Sequence, residues 1–496
     1  MIEPLLRTTN DFNQCVAIRL PFPDRLRSGV SRTFGNPLKP FERLWVTHIN
    51  LMQNLRQAAN EIFDAALRAV DAGKALRRAL NLNGTILRIC DTVFDTSTRP
   101  TYVVAIGKAA PAMAVTLGDI LDHIITRGTV SGPDCPELHA LESGRWRVFA
   151  GGHPLPNQQS LDAAQAAFEL LRRADEEHAL VVFLISGGGS AMIEWPCDGR
   201  ITLADLREAN RRLVSCGASI TEINAVRRAL SAVKGGRLGA LAQNTDQITL
   251  IISDTNRGDE ANVASGPTVS PPANSPRAMD VVERYSHRLS LPSSVLRAIQ
   301  EAESNEGHSD IADNKPYVLL DNQSAIEAAA AEARQLGFAV EVVYDINEQP
   351  IDEGSALLVS RVRALWEQAG REQKRVCLIS GGEFSCPVGG TGVGGRNLET
   401  VLRCAIEFDK RQHHGDFASA HLVALSGGTD GIDGNSPAAG AIADESTIAS
   451  GLSRGLHAES FLENSDSFTF FNTLGDAIVI GPTGTNVRDL RILIAS

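Results

Sequence analysis

Apolar residues run without polar interruption through three stretches of this chain that end alike: LVVFLISGGGS at 180–190, VCLISGGE at 376–383 and LVALSGGTDG at 422–431. Short continuous apolar runs of this kind predict parallel strands buried on both faces. Each predicted strand stops in a loop nearly devoid of side chains. Around them the pattern alternates. TYVVAIGKAAPAMA (101–114) predicts strand, Gly-Lys turn and helix, and VFAGGHPLPNQQS (148–160) predicts strand, turn and capped helix. INAVRRALSAVKGGRLGAL (223–241) predicts a helix broken at a glycine pair, and ITLIIS predicts a strand running into Asp254. Further on come YVLLDNQ (317–323), an alanine-rich helix, VEVVY (340–344), another helix, the two later Ser-Gly-Gly strands and a closing segment, IVIGPTGTNVRDLRILI (478–494). Residues 54–81 carry Ile62, Ala66, Ala69 and Val70 at helical spacing. Strands alternating with helices predict an α/β fold with a parallel sheet covered on both faces.

Between about 267 and 314 the texture changes to Pro, Ser, Asn and mixed charge, which predicts a linker at a domain boundary with a helix or two inside it. The chain therefore divides into an N-terminal extension (1–50), an α/β domain with its linker (51–315) and a second α/β domain (316–496). Two such domains facing each other make a cleft suited to a small ligand.

Composition narrows the classes. The 496 residues are 43% hydrophobic, ample for buried cores, and carry a formal net charge of -12 with no block of Lys or Arg. That argues against a nucleic-acid partner while leaving room for a local basic pocket. No apolar run approaches bilayer length, so no membrane partner is expected. The eight cysteines form no CxxC pair, which points to a reducing compartment and away from zinc and disulfides. The first 41 residues scatter arginine among hydroxyl residues, as a mitochondrial presequence does, but Glu3, Asp11 and Asp24 oppose that reading. A cytoplasmic protein with a loosely ordered extension is expected, with mitochondrial targeting as the alternative. Nothing in the sequence speaks against a homo-oligomer.

The glycine loops are where chemistry is expected. Glycine admits positive φ and brings bare N–H groups against an oxyanion, with a following helix N-terminus adding partial positive charge. The anion-binding candidates are Gly187, Gly188, Gly189 and Ser190 in the first loop and Gly381, Gly382 and Glu383 in the second. Gly394, Gly395 and Asn397 follow in GGTGVGGRN, and Gly427, Gly428 and Thr429 in the last. Lys108, directly after Gly107, would face phosphate as a point charge. Lys234 and Arg237 in KGGRLG read equally as anion ligands or as a helix C-cap. Arg396, before a helix, offers a bidentate guanidinium for a carboxylate, a phosphate or transition-state charge.

Asp254 and Asp430 place carboxylates beside these cradles. They would repel an anion unless Mg²⁺ lay between, held mostly by water and phosphate, or one of them accepts a proton from a substrate hydroxyl. Asp433 reads as either a turn residue or an acid of the same kind. His153 in GGHP reads as a general base or, in preference, as a polar turn residue before proline. Ser186, Ser190, Ser380 and Ser426 read as turn formers or phosphate contacts, because the GxSxG elbow is absent. GxGxxG at 390–395 follows no clear strand, and no Walker sequence occurs. Glycine cradles, fixed cations and acids suited to Mg²⁺ together predict phosphoryl transfer by positioning and charge stabilisation.

The strings AIGKAA, GGHPLPNQQS, LISGGGSAM, INAVRRALSAVKGGRLG, VASGPTV, GGRNLE, LSGGTDGIDG and GPTGTNVRDLR, in this order from about residue 62 onward, resemble the glycerate 2-kinase family. The resemblance implies a Rossmann-like N-terminal domain and a C-terminal α/β domain of MOFRL type, with the active site in the cleft between them. It implies ATP-dependent phosphorylation of D-glycerate on its 2-hydroxyl to give 2-phosphoglycerate, with Mg²⁺. Lys108 and Arg396 fall on the residues expected to bind or stabilise the transferring phosphoryl group, and Asp254 and Asp430 on acids with metal or base roles. The chain departs from the family pattern at Val393, Leu398, Pro437 and Ser465, in the presumed nucleotide and metal loops. Two other readings stay open: an NAD(P)-dependent hydroxypyruvate reductase, and a non-catalytic sensor of sugar acids.

Overall fold

The computed structural model describes residues 40–142, 144–304, 316–369, 375–413 and 420–496. The extension and presequence readings fall almost wholly outside them. The chain divides into two compact units, Met1–Gln53 and Asn54–Ser496. Within the first, the described element is the beginning of the helix Pro40–Ala69; all the strands belong to the second. In place of one helical region over 54–81, that helix ends at Ala69 and another, Ala72–Ala79, starts where Asp71 accepts a hydrogen bond from the Lys74 amide. The chain then enters a three-stranded antiparallel sheet: β1 (Leu80–Asn83), β2 (Ile86–Ile89) and β3 (Thr92–Asp95).

The first large sheet is parallel throughout: β4 (Thr101–Ile106), β5 (Ile125–Gly132), β6 (Trp146–Ala150), β7 (Leu180–Ser186), β8 (Asp246–Ile252) and β9 (Tyr317–Leu320). Its spatial order is β6-β5-β4-β7-β8-β9. Counted from β4 this is 3-2-1-4-5-6, the doubly wound dinucleotide-fold arrangement, so the expected Rossmann-like sheet is present. Tyr102, Val104 and Ile106 pack with Val181, Phe183 and Ile185 against Ala163, Ala167 and Leu171 of the helix Gln158–Glu176. Val103 and Ala105, which alternate with them, are equally buried, which is why these strands read as unbroken apolar runs. β5, with its polar sequence ITRGTVSG, escaped that signal.

The stretch read as a linker from about 267 holds the expected helices, two of them, and they pack into a layer. Helices Ala278–Arg284 and Ser293–Ser304 share a core with Leu203–Ser215 and Ile220–Leu230 through Leu206, Leu213, Val226, Val282 and Ile299. β9, expected to open the C-terminal domain at 316, pairs with β8 instead and completes the first sheet.

The second large sheet comprises β10 (Ala339–Val343), β11 (Val376–Gly382), β12 (Leu422–Gly428), β13 (Gly440–Asp444), β14 (Ala477–Ile478) and β15 (Asp489–Ala495), in the order β10-β11-β15-β12-β13-β14. It corrects the expectation that all three Ser-Gly-Gly strands lie in parallel pairings. β15 runs antiparallel between β11 and β12, and only β10 and β11 pair in parallel. The burial signal was right and the direction unreadable, because a central antiparallel strand is as apolar as a parallel one. Among the described residues no helix is long and apolar enough to cross a membrane.

Candidate functional site

In a doubly wound sheet ligands bind beyond the carboxyl ends of the strands where the order reverses. Here that point lies between β4 and β7. Lys108 follows β4, and its amide donates to the Gly187 carbonyl at 2.8 Å; the Ala109 amide donates to Ser186 Oγ at 2.9 Å. The two turns are thereby stitched together. Gly107 sits at φ +112°, where an added Cβ would lie 2.3 Å from the Ser186 carbonyl oxygen, so only glycine fits. A Cβ on Gly187 would lie 1.9 Å from a carboxylate oxygen of Asp254, which extends from the end of β8 across the loop. Gly188, at φ +79°, opens the short helix Gly189–Met192 and lies against the Lys108 side chain and the His153 ring.

On the second sheet the register places Asp489, the first residue of β15, opposite Gly382 on one side and Gly428 on the other. Arg396 grips Asp489 through Nε at 2.6 Å and Nη2 at 3.3 Å, and pairs with Glu383 at 2.8 Å. Asn397 donates to Asp489 at 2.9 Å and accepts from Ser426 Oγ at 2.6 Å. Asp433 accepts from the amides of Asn397 (3.1 Å) and Leu398 (2.8 Å), capping the helix Arg396–His413. Beneath, the buried Arg491 guanidinium donates to Ser380 Oγ at 3.0 Å and to the Gly381 carbonyl, with its carbon 3.5 Å from the Phe384 ring centre.

The two sets of strand ends meet. Lys108 Nζ lies 2.8 Å from Asp430 Oδ2, and Arg488 bonds Asn256 at 2.5 Å and Glu348 at 2.7 Å. Burial raises the Asp254 carboxyl, with Lys108 and Arg488 pulling it down and Asp430 pushing it up. Burial likewise raises Glu383, which feels Arg396, Asp489, Arg488 and Asp254. Burial holds His153 down at about 4, helped by Lys108 and opposed by Asp430, so the imidazole is neutral at physiological pH. Burial pushes Asp433 up to about 7 against the amides it accepts from.

Of the residues singled out from sequence, Lys108, Asp254, Asp430, Glu383 and Arg396 come together here with Gly187, Gly188, Gly382 and Gly428. Others do local work. Lys234 is buried in an ion pair with Glu194, which Ser231 also bonds. Arg237 donates to the carbonyls of Arg228 and Ser231 at the end of the helix Ile220–Leu230, the C-cap alternative. Gly189 packs on Ile106 and Ala264, and Gly427 beneath the Phe63 ring. Gly381 abuts Asn322, and Gly394 and Gly395 thread against Ser467 and Asp433. Thr429 Oγ1 donates to the Arg488 carbonyl and accepts from the Val487 amide. Ser190 and Asn397 serve hydrogen-bond networks, with Ser190 Oγ 2.7 Å from Ser265 Oγ. Leu398, a departure from the family pattern, is core beside Phe470. Asp489 and Arg488 were missed, and His153 was set aside as a turn residue. The RDL of the closing strand and the GGH turn were the available signals.

For Mg²⁺ the donor set is sparse. Among the described residues no group of three or more His, Cys, Asp or Glu side chains could enclose a metal. Two carboxylates near phosphate-sized anion cradles nevertheless suit an ion that keeps water and takes its remaining ligands from phosphate. Two hollows, one of about 480 Å³ beside Trp195 and one of about 350 Å³ beside Trp146, lie away from this cluster.

Comparison with known proteins agrees with the geometry. Residues 58–300 match the domain of unknown function DUF4147, and residues 376–489 match the MOFRL family. A protein of Pyrococcus horikoshii named glycerate 2-kinase is 32% identical over 90% of this chain and 98% of its own. One of Agrobacterium vitis named putative hydroxypyruvate reductase is 34% identical over 79% of this chain and 98% of its own. The crystal structure of a glycerate kinase from Thermotoga maritima superposes with a TM-score of 0.73 at 29% identity, over 90% of this chain and all of that one. Two domain matches in the right order, long relatives and a shared fold lead to one statement: the chain belongs to the glycerate 2-kinase family.

Proposed function

We propose that this chain is an enzyme that transfers the γ-phosphoryl group of ATP to the 2-hydroxyl of D-glycerate, giving 2-phosphoglycerate and ADP. The carrying observation is that Lys108 meets Asp430, and Arg396 meets Asp489 and Glu383, at strand ends where Asp254 feels Lys108 and Asp430 and lies within the field of Glu383. In the ligand-free protein each cation is held by acids. An incoming triphosphate takes over Lys108 and Arg396, so charge developing on the transferring group meets cations already in place. Asp430, released from Lys108, and Asp254 beside it would hold Mg²⁺, which would offset the charge of the phosphate group. As the 2-hydroxyl oxygen bonds to phosphorus and the bond to ADP breaks, one of these carboxylates takes the hydroxyl proton. The relatives named glycerate kinase support the reaction class.

The reductase reading lacks its fingerprint. In this sheet order a dinucleotide loop belongs after β4, where the sequence is Gly107-Lys108-Ala109 rather than GxGxxG. Purified protein incubated with Mg²⁺ and either D-glycerate plus ATP or hydroxypyruvate plus NADPH tests the proposal. Glycerate-dependent ADP release with a 2-phosphate product by ³¹P NMR is expected. Glycerate-independent ADP release, or nicotinamide oxidation with hydroxypyruvate, would overturn it.

A further inference from the structure

We propose that Arg227, with His153 beside it, forms the subsite that binds the carboxylate of the hydroxy-acid substrate; this rests on the kinase reading above. Arg227 lies on the helix Ile220–Leu230. Three residues earlier on that helix, on the same face, Asn224 accepts from Ser265 Oγ at 3.0 Å, and Ser265 Oγ lies 2.7 Å from Ser190 Oγ. The relay turns this face toward the glycine loop that follows β7. Arg227 Nε donates to Asn210 Oδ1 at 2.9 Å, which fixes the plane of the guanidinium. Among the described residues no carboxylate forms an ion pair with Arg227, and its terminal nitrogens are left to a ligand. The nearby Glu194 is already engaged by Lys234, Ser231 and the Trp195 amide. Arg228, its neighbour, is engaged by Asn262.

His153 joins the two halves of the substrate. Its ring lies against Gly188 beside Lys108 and feels the charges of Lys108, Asp430 and Arg227 together. A 2-hydroxy acid carries its carboxylate one bond from the carbon bearing the reacting oxygen. With that carboxylate on Arg227 and a hydrogen bond from neutral His153, the 2-hydroxyl falls on the Lys108 and Asp430 side. A planar fork suits a carboxylate bidentately, and a lone cation in a desolvated wall selects an acid over its amide. Arg227 thus becomes the residue that makes the enzyme specific for acids, whereas Lys108 and Arg396 serve the nucleotide.

The test measures KM for D-glycerate and for ATP in the wild type, Arg227→Gln, Arg227→Lys and His153→Gln, together with binding of D-glycerate and its neutral amide by calorimetry. Expected are a KM for glycerate raised roughly 10²-fold in Arg227→Gln, an intermediate rise in Arg227→Lys, and a KM for ATP within about twofold of wild type. Preference for the acid over the amide should vanish in Arg227→Gln. Wild-type turnover with an unchanged glycerate KM in both Arg227 variants would overturn the subsite and leave the kinase standing. No wild-type turnover of D-glycerate would overturn the kinase reading and the subsite with it. If Arg227→Gln fails to fold, Arg227→Lys decides, because an unaltered glycerate KM there refutes bidentate binding.

Discussion

Lys108 and Asp430 belong to different sheets, yet their side chains meet end to end, with Nζ 2.8 Å from Oδ2. The pair marks where the strand ends of the two lobes converge. On the proposed reading the ammonium passes from Asp430 to a phosphate, so Lys108→Ala should lower kcat by roughly 10²–10³ and raise the KM for ATP. Steady-state kinetics at saturating glycerate check this, and undiminished turnover would dismiss Lys108 from the reaction. In a double-mutant cycle Lys108→Ala and Asp430→Asn should be non-additive.

Arg396 is held by Asp489 through two nitrogens and by Glu383 through one. Arg396→Lys keeps the charge but loses the fork, so kcat should fall at least about tenfold with little change in the KM for glycerate. Full activity in the lysine variant would show that charge alone suffices.

Gly187→Ala drives a methyl group into the Asp254 carboxyl, whereas Gly118→Ala, in the helix Ala110–Leu121, meets nothing within 4 Å. The first should cut activity about as deeply as Asp254→Ala. The second should stabilise the fold by about 0.5–1 kcal/mol at unchanged kcat. Thermal melts and initial rates on the two proteins provide the comparison.

Lys234→Ala leaves Glu194 uncompensated in the interior and should cost about 3–5 kcal/mol, while Lys234→Met combined with Glu194→Gln should recover much of it. Denaturant titration distinguishes this from an anion-binding lysine, whose loss would spare stability and raise a KM.

Asp433 gives stability a definite pH slope. Its native carboxyl titrates near 7 and its unfolded form near 3.8, so between these values the folded chain holds a proton that the unfolded chain has released. The native state therefore loses stability from this group as pH rises through that window, and the cost is complete above 7. Asp433→Asn should flatten the fall in melting temperature between pH 5 and pH 8. A parallel pH profile in the variant would rule the group out as its source.

The sequence disclosed the strands whose apolar runs are buried on both faces, and with them the loops bearing Lys108, Asp254 and Asp430. Each of these follows its strand directly, so local pattern locates it. Asp489 and Arg488 were hidden because their place depends on β15 inserting between strands far away in the chain, a pairing that no local periodicity encodes. His153 looked like an ordinary turn residue for the same reason: its neighbours Lys108 and Asp430 come from two other strand ends. Lys234 and Arg237 stayed open between two readings. Glycine beside cations reads alike whether the partner is a ligand, a helix end or Glu194. The span from 267 looked like a linker because its short helices bury small faces against a bundle rather than a sheet.

β15 reaches its place between β11 and β12 only after both have left the ribosome, and it presents Asp489 to Arg396 from there. A nascent chain halted before residue 489 would hold two apolar strand borders with no partner between them, an invitation to aggregate. Arg396 is therefore aligned late in synthesis, and stop codons or frameshifts in the closing segment should yield insoluble protein rather than a soluble enzyme of reduced activity.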